Sequence, residues 1–185
     1  MMKTRLIHCF YLLFLPFLFN VCAHASERME AEKTVLVKAP WRIGEVIVRG
    51  DMPLMAGAWK WNDPFTFVPA YRVFQGMTSD GYYVIQDFYA GTDAKATNAY
   101  QLADLADTVA PFYAEDDVGI QYSIEGQLMS WYPDGQLESD VFFEGGKLKG
   151  VSYRYYDNGQ LMLEVDHESG KAAYYGYDGQ LIGQK

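Results

Sequence analysis

Over the last 65 residues, apolar and polar positions alternate with a period of two, and glycines break the alternation at near-regular intervals. Leu137, Ser139, Val141 and Phe143 alternate with Glu138, Asp140, Phe142 and Glu144. Leu161, Leu163 and Val165 alternate with Met162, Glu164 and Asp166. This period places one set on each face of a strand. Glycines that follow a polar or small residue fall at Gly126, Gly135, Gly146, Gly159, Gly170 and Gly179, at spacings of 9, 11, 13, 11 and 9. Three of them close the pairs Asp134-Gly135, Asn158-Gly159 and Asp178-Gly179, which accept positive φ at both centres of a type I′ hairpin. The pattern predicts an antiparallel meander of about six or seven strands.

The turns also repeat as units. Trp131-Tyr132-Pro133-Asp134-Gly135-Gln136-Leu137 matches Tyr155-Tyr156-Asp157-Asn158-Gly159-Gln160-Leu161, and more loosely Tyr175-Gly176-Tyr177-Asp178-Gly179-Gln180-Leu181, at offsets of 24 and 20. Glu144-Gly145-Gly146-Lys147-Leu148 and Glu168-Ser169-Gly170-Lys171 fall between them, also 24 apart. One hairpin cannot bury its own aromatic pair, so stacking of neighbours must supply the core. The unit, with its Gly-Gly-Lys-Leu-Lys-Gly turn, resembles the variant MORN repeat of bacterial proteins, an antitoxin-type family, over roughly residues 120 to 185. The resemblance implies a hairpin array and supplies no catalytic residues. The third unit departs from it, with Gly176 in place of an aromatic, as in a terminal capping repeat.

Upstream, Gly81 to Tyr89 reads as a strand, and Asp87-Phe88-Tyr89-Ala90-Gly91 echoes the repeat's aromatic-plus-glycine turn. Thr97 to Val109 reads equally as a loop or as a short helix capped by Thr97. Thr34 to Lys38 and Glu45 to Arg49 are short β-branched runs. Asp51 to Pro64 is rich in turn formers around Trp59 and Trp61. Phe65 to Phe74 is a strand candidate in which Pro69 argues for an edge or a bend. The expected fold is therefore mainly β: a β-rich or α+β region over 26–115, then MORN-like hairpins over 116–185. Whether the first is a separate domain or the first strands of one sheet is open.

Composition changes this picture once residues 1–25 are read as an export signal. Lys3 and Arg5 precede an apolar run from Leu6 to Phe19, and Ala23-His24-Ala25 offers a small-x-small cleavage site. The run, about 14 residues broken by Pro16, is shorter than the roughly 20 that a spanning helix needs. No stable membrane insertion is expected after cleavage, and the expected location is the periplasm of a Gram-negative bacterium. A lipid on Cys22 is the lesser reading, because Phe19, Asn20 and Val21 fit a lipid-attachment pattern poorly. The chain carries 15 bases and 24 acids, a net of −9; the first 25 residues take two bases and both cysteines, leaving 13 against 24, a net of −11, with His167 as the one histidine. Cysteine-based zinc, haem and iron–sulfur sites, disulfides and thiol nucleophiles are then excluded, and no cofactor is expected. A Ser-His-Asp mechanism has only His167 to use, without a Gly-x-Ser-x-Gly elbow. Nucleic acid is not an expected partner of so acidic a chain.

The acidity is local. Residues 73 to 146 hold 13 acids and one base, Lys95. Glu115-Asp116-Asp117 is the densest cluster and lacks the Asp-x-Asp-x-Asp-Gly spacing of a calcium loop, so it reads as solvated. His167, between Asp166 and Glu168, reads as a solvated turn residue rather than a general base. Trp131, Tyr132, Tyr153, Tyr155, Tyr156, Tyr174, Tyr175 and Tyr177 lie on both parities of their strands, so some pack the repeat while others meet solvent, where Tyr and Trp anchor interfaces. An exported chain with an acidic aromatic segment leading into MORN-type hairpins is similar to immunity proteins paired with lipase or phospholipase effectors of type VI secretion. The resemblance implies a non-catalytic inhibitor of a secreted toxin, and the one-signed acidic stretch points to a cationic partner. Its partner-binding residues are expected among Trp131, Tyr132, Tyr153, Tyr155, Asp104, Asp107, Glu115, Asp116 and Asp117. A structural or scaffolding role in the envelope is the alternative; a hydrolase built on a carboxylate pair is the least favoured.

Overall fold

In a computed structural model, which describes residues 39–55, 65–112 and 122–185, the three matching turns close in one way. Gly135 N–H donates to the Tyr132 carbonyl at 2.9 Å, and Tyr132 N–H to the Gln136 carbonyl at 2.8 Å; the pairs Gly159–Tyr156 with Tyr156–Gln160, and Gly179–Gly176 with Gly176–Gln180, repeat these distances. Only the glycine of each pair has positive φ, at 90°, 80° and 78°, and Asp93 is the one described non-glycine residue with φ above zero. The turn is thus type I followed by a left-handed glycine bulge, not the type I′ turn expected from the sequence. The Asp or Asn side chain decides this by accepting the N–H of the glutamine two residues on, at 3.0 Å for Asp134, 2.9 Å for Asn158 and 3.1 Å for Asp178. The next turn explains the glutamine and the glycine together. A Cβ on Gly159 would lie 2.8 Å from Gln136 Oε1, and one on Gly179 2.7 Å from Gln160 Oε1, so each turn rests on the glycine of its successor.

These turns help to order one antiparallel sheet. Its strands are β1 (Val46–Met55), β2 (Phe65–Met77), β3 (Tyr83–Tyr89), β4 (Tyr100–Leu102), β5 (Ile124–Trp131), β6 (Leu137–Glu144), β7 (Lys147–Leu148), β8 (Val151–Tyr155), β9 (Leu161–Asp166), β10 (Lys171–Tyr175) and β11 (Leu181–Gln184). They pair in chain order, except that the two-residue β7 pairs β6 to the side of the main path. The expected meander occupies β5 to β11. The sheet runs unbroken into it from the N-terminal region, because Leu102 of β4 pairs Ile124 of β5. The export segment, Thr34–Lys38, Trp59, Trp61 and Glu115-Asp116-Asp117 lie outside the described residues.

Three local expectations are corrected. The turn-rich reading of Asp51 to Pro64 fails for its first part, since β1 continues to Met55; Pro53 is tolerated there because, among the described residues, β1 pairs only β2. Pro69 lies on β2, which is flanked by β1 and β3 rather than at an edge. The ladder to β3 ends one residue away, at Ala70↔Tyr89, and the Pro69 carbonyl accepts from Ala90 at 2.8 Å. The missing N–H of Pro69 therefore falls just past the last pair of that ladder. Thr97 caps no helix: its Oγ1 accepts from Asp87 N–H at 3.0 Å, and a bridge to Ser130 ties it to β5. The one described helix, α1 (Leu105–Thr108), is capped by Asp104, whose Oδ1 accepts from Ala106 N–H at 2.8 Å.

One face of the sheet carries the core. Phe74, Tyr83, Ile85, Tyr100, Leu102 and Ile124 pack together in register on β2 to β5, and Trp41, Ile47 and Leu105 pack against them. Next to this cluster lies a buried ion pair. Arg72 Nε donates to Asp87 Oδ1 at 2.8 Å, with the two side chains 6% and 3% exposed. Arg72 Nη1 reaches the carbonyls of Asp107, Thr108 and Ala110 at 3.2, 3.3 and 3.2 Å, and the Tyr100 hydroxyl donates to Asp87 Oδ2 at 2.9 Å. One guanidinium thus neutralises the core carboxylate and satisfies the end of α1. Replacing Asp87 with Ala strands that guanidinium and is expected to cost about 3–5 kcal/mol. The double replacement Arg72→Met/Asp87→Leu should cost less, because no charge is left buried; urea unfolding of the three proteins measures the difference.

Candidate functional site

The repeat sheet offers a stacked tyrosine ladder and two faces of unlike chemistry. In the ladder, each unit's tyrosine hydroxyl reaches the backbone of the next: Tyr132 to the Tyr155 carbonyl at 2.8 Å, and Tyr156 to the Tyr175 carbonyl at 2.9 Å. Tyr89 makes the same link to the Trp131 carbonyl at 2.5 Å, so the faint echo at residues 87–91 is the first rung. All three rings are buried. The next place belongs to Gly176, and the series ends there. Tyr132 is therefore a core residue, 5% exposed, and its role here is stacking.

The register separates the faces. Met129, Asp140, Tyr153, Glu164 and Ala173 are direct cross-strand partners, in that order, from β5 to β10. Alternation puts Trp131, Phe142, Tyr155 and Tyr175 on the same side. Phe142 is exposed, while Trp131, Tyr153 and Tyr155 are half-buried. Burial first, then the neighbouring Asp140, Tyr153 and Glu164, push the Tyr155 phenol above its ordinary range. Aromatic rings and carboxylates thus share this acidic–aromatic face. Asp166, at its end, is held below the usual carboxylate range by the Ser169 hydroxyl, at 2.6 Å, and by the N–H groups of Ser169 and Glu168.

The other face continues the core side. Leu128, Val141, Phe143, Leu148, Leu163 and Val165 line a groove of about 400 Å³, together with Ser139, Ser152, Arg154 and His167. His167 lies in the turn after β9, as expected, but it is half-buried rather than solvated, with Nε2 2.8 Å from Ser152 Oγ. Sequence reasoning missed this pair because the two residues are 15 apart and meet only through the pairing of β8 with β9. The alternation in β6 and β9 was the available signal for the groove.

The remaining acids expected to contact a partner serve the N-terminal half of the sheet. Asp104 caps α1, and its N–H donates to Ser123 Oγ at 2.8 Å; Asp107 Oδ2 accepts from Ser123 N–H at 2.6 Å. Together they fasten α1 to the start of β5. Of the nine expected contact residues, Trp131, Tyr153 and Tyr155 share one face, Tyr132 is in the ladder, Asp104 and Asp107 are at α1, and Glu115, Asp116 and Asp117 lie outside the described residues. Among the described residues, no group of three or more His, Cys, Asp or Glu side chains is placed to hold a metal.

No protein family, curated protein or solved structure matches the chain. The likeness to the variant MORN repeat rests on the motif residues alone.

The ladder makes two predictions. Tyr132→Phe removes a single hydroxyl bond and should lower stability by about 1 kcal/mol, whereas Tyr132→Ala also empties a buried aromatic site and should cost about 3–5 kcal/mol; thermal unfolding of both variants tests this. Burial is the first cause that raises the phenols of Tyr89, Tyr100 and Tyr132 above the ordinary value of 10.0. Their stabilising contribution is fully present below roughly pH 10 and is lost as pH rises through the folded values. An alkaline titration should show part of the phenolate absorbance appearing only with unfolding; full ionisation while the β-sheet circular dichroism persists would contradict it.

Proposed function

We propose that the protein is a non-catalytic exported binding protein, an immunity- or antitoxin-type inhibitor that covers a cationic protein partner such as a secreted phospholipase effector. The observation that supports this is the acidic–aromatic face, where Asp140 and Glu164 alternate across the strands with Met129 and Tyr153, flanked by Trp131, Phe142 and Tyr155. Half-buried rings on a sheet supply contact area at small rotamer cost, and the carboxylates beside them select a basic surface. The charge over residues 73–146 adds a long-range field of one sign, which speeds association with a cation more than it tightens the final complex.

The mature chain, used as bait against the secreted proteins of its own source, is expected to retain one enzyme and inhibit it. Its association rate should fall about tenfold or more between about 0.05 M and about 0.5 M salt, and Asp140→Lys/Glu164→Lys should depress the low-salt rate by a similar factor. An association rate indifferent to salt removes the electrostatic part of the reading. Self-association or many weak partners, without inhibition of any enzyme, favours the scaffolding role instead.

A further inference from the structure

The two ends of the sheet differ in kind. Among the described residues β1 pairs only β2 and β11 only β10, so each leaves one side of its backbone unpaired. Such an edge invites another chain unless something blunts it. β1 is blunted: it holds Pro53, the exposed charges of Arg49 and Asp51, and a bulge between Val46 and Val48. β11, Leu181-Ile182-Gly183-Gln184, has neither a proline nor a charge. Lys185 exchanges both backbone bonds with Ala172, at 2.8 and 3.0 Å, so alternation turns the N–H and C=O of Gln184 away from β10.

Apolar surface gathers at the same end. Tyr174, Tyr177, Leu181 and Ile182 are 42%, 44%, 51% and 69% exposed, on β10, the last turn and β11. A terminal repeat ordinarily turns a polar side outward; this one offers rings and aliphatic chains. Charge narrows what can cover them. Residues 147–185 hold five bases and five acids, while residues 73–146 hold one base and 13 acids. A second copy of this acidic chain is therefore repelled along the middle of the sheet and not at its last repeats. Antiparallel pairing of β11 with itself across a two-fold axis brings Lys185 of each copy beside the turn that carries Asp178 in the other. Asp178 gives one carboxylate oxygen to the Gln180 N–H and keeps its side chain exposed. The blunted β1 edge disfavours the head-to-tail alternative, which would extend into an open filament.

We propose that β11 pairs with β11 of a second copy and joins the two sheets into one symmetric dimer. A two-fold axis perpendicular to the sheet keeps like faces on one side, so the dimer presents two acidic–aromatic faces next to each other. The contact leaves those faces open and does not depend on the partner proposed for them.

Sedimentation of the mature chain across a dilution series tests the pairing. One short strand per copy makes a small interface, so a monomer–dimer equilibrium with a dissociation constant of about 1–100 μM is expected. Gln184→Pro removes the outward N–H and should weaken the dimer about tenfold or more, as should Ile182→Lys, which places a charge on the edge. Lys185→Glu, which sets a like charge beside Asp178, should weaken it about threefold. Phe142→Lys, on the acidic–aromatic face, should change nothing. In amide exchange of the unsubstituted chain, the Gln184 N–H should be protected in the dimer and lose that protection on dilution. A chain that stays monomeric up to about 1 mM, an assembly larger than a dimer, or Gln184 exchange indifferent to concentration would each overturn the proposal, whether or not the variants fold. So would a dimer that a folded Gln184→Pro variant leaves intact, or a Gln184 amide protected in the monomer, which would mark another segment of the same chain as the occupant of the edge.

Discussion

A sheet one layer thick needs something to bury one of its faces, and in the first half of this protein the covering is fastened by the Arg72–Asp87 pair. A four-residue helix cannot hold itself together, since nucleating a turn costs more than its few hydrogen bonds return. Here the Arg72 guanidinium accounts for three carbonyls at its C-terminal side, while Asp104 and Asp107 tie its N-terminal half to Ser123. The helix therefore exists because the strands present a buried cation to it. Without it, Tyr100 and Leu102 would lose the Leu105 cover that helps to make them a core.

The second half solves the same problem differently. No described element packs across β6 to β9, so order comes from repetition along the sheet: a tyrosine hydroxyl to the next unit's carbonyl, a glutamine over the next unit's glycine, an Asx-closed turn under each. Each bond is worth about 1 kcal/mol net, but all are made between neighbours, as expected of an array whose stability adds up unit by unit. Among the described residues, both faces of this half therefore stay accessible. Such a sheet can present rings and carboxylates on one side and a largely apolar groove on the other, two chemically distinct surfaces.

Much of this was legible in the residues. The period-two alternation of 137–144 and 161–166 located β6 and β9, the Asp-Gly and Asn-Gly pairs located the hairpin turns, and the matching units located the array. What failed did so for nameable reasons. The same dipeptide serves a type I turn with a glycine bulge when the Asp or Asn side chain bonds forward, so composition did not fix turn type. Pro53 and Pro69 resembled breakers because the side to which each missing N–H points depends on strand order. The acid at 107 gave no local sign of its role because its carboxylate accepts from Ser123 N–H, 16 residues away, while the carboxylate at 104 is spent on the Ala106 N–H at the start of α1.

The sequence by itself therefore determined the class of fold, the units and their spacing, because strand period and turn chemistry are local properties. Only the tertiary structure decided that Tyr132 is buried while Trp131, Tyr153 and Tyr155 share a face with Asp140 and Glu164. It alone paired Arg72 with Asp87 and His167 with Ser152. Those facts depend on register and on which face is covered, and both are set by contacts between strands that the order of residues along one strand does not contain.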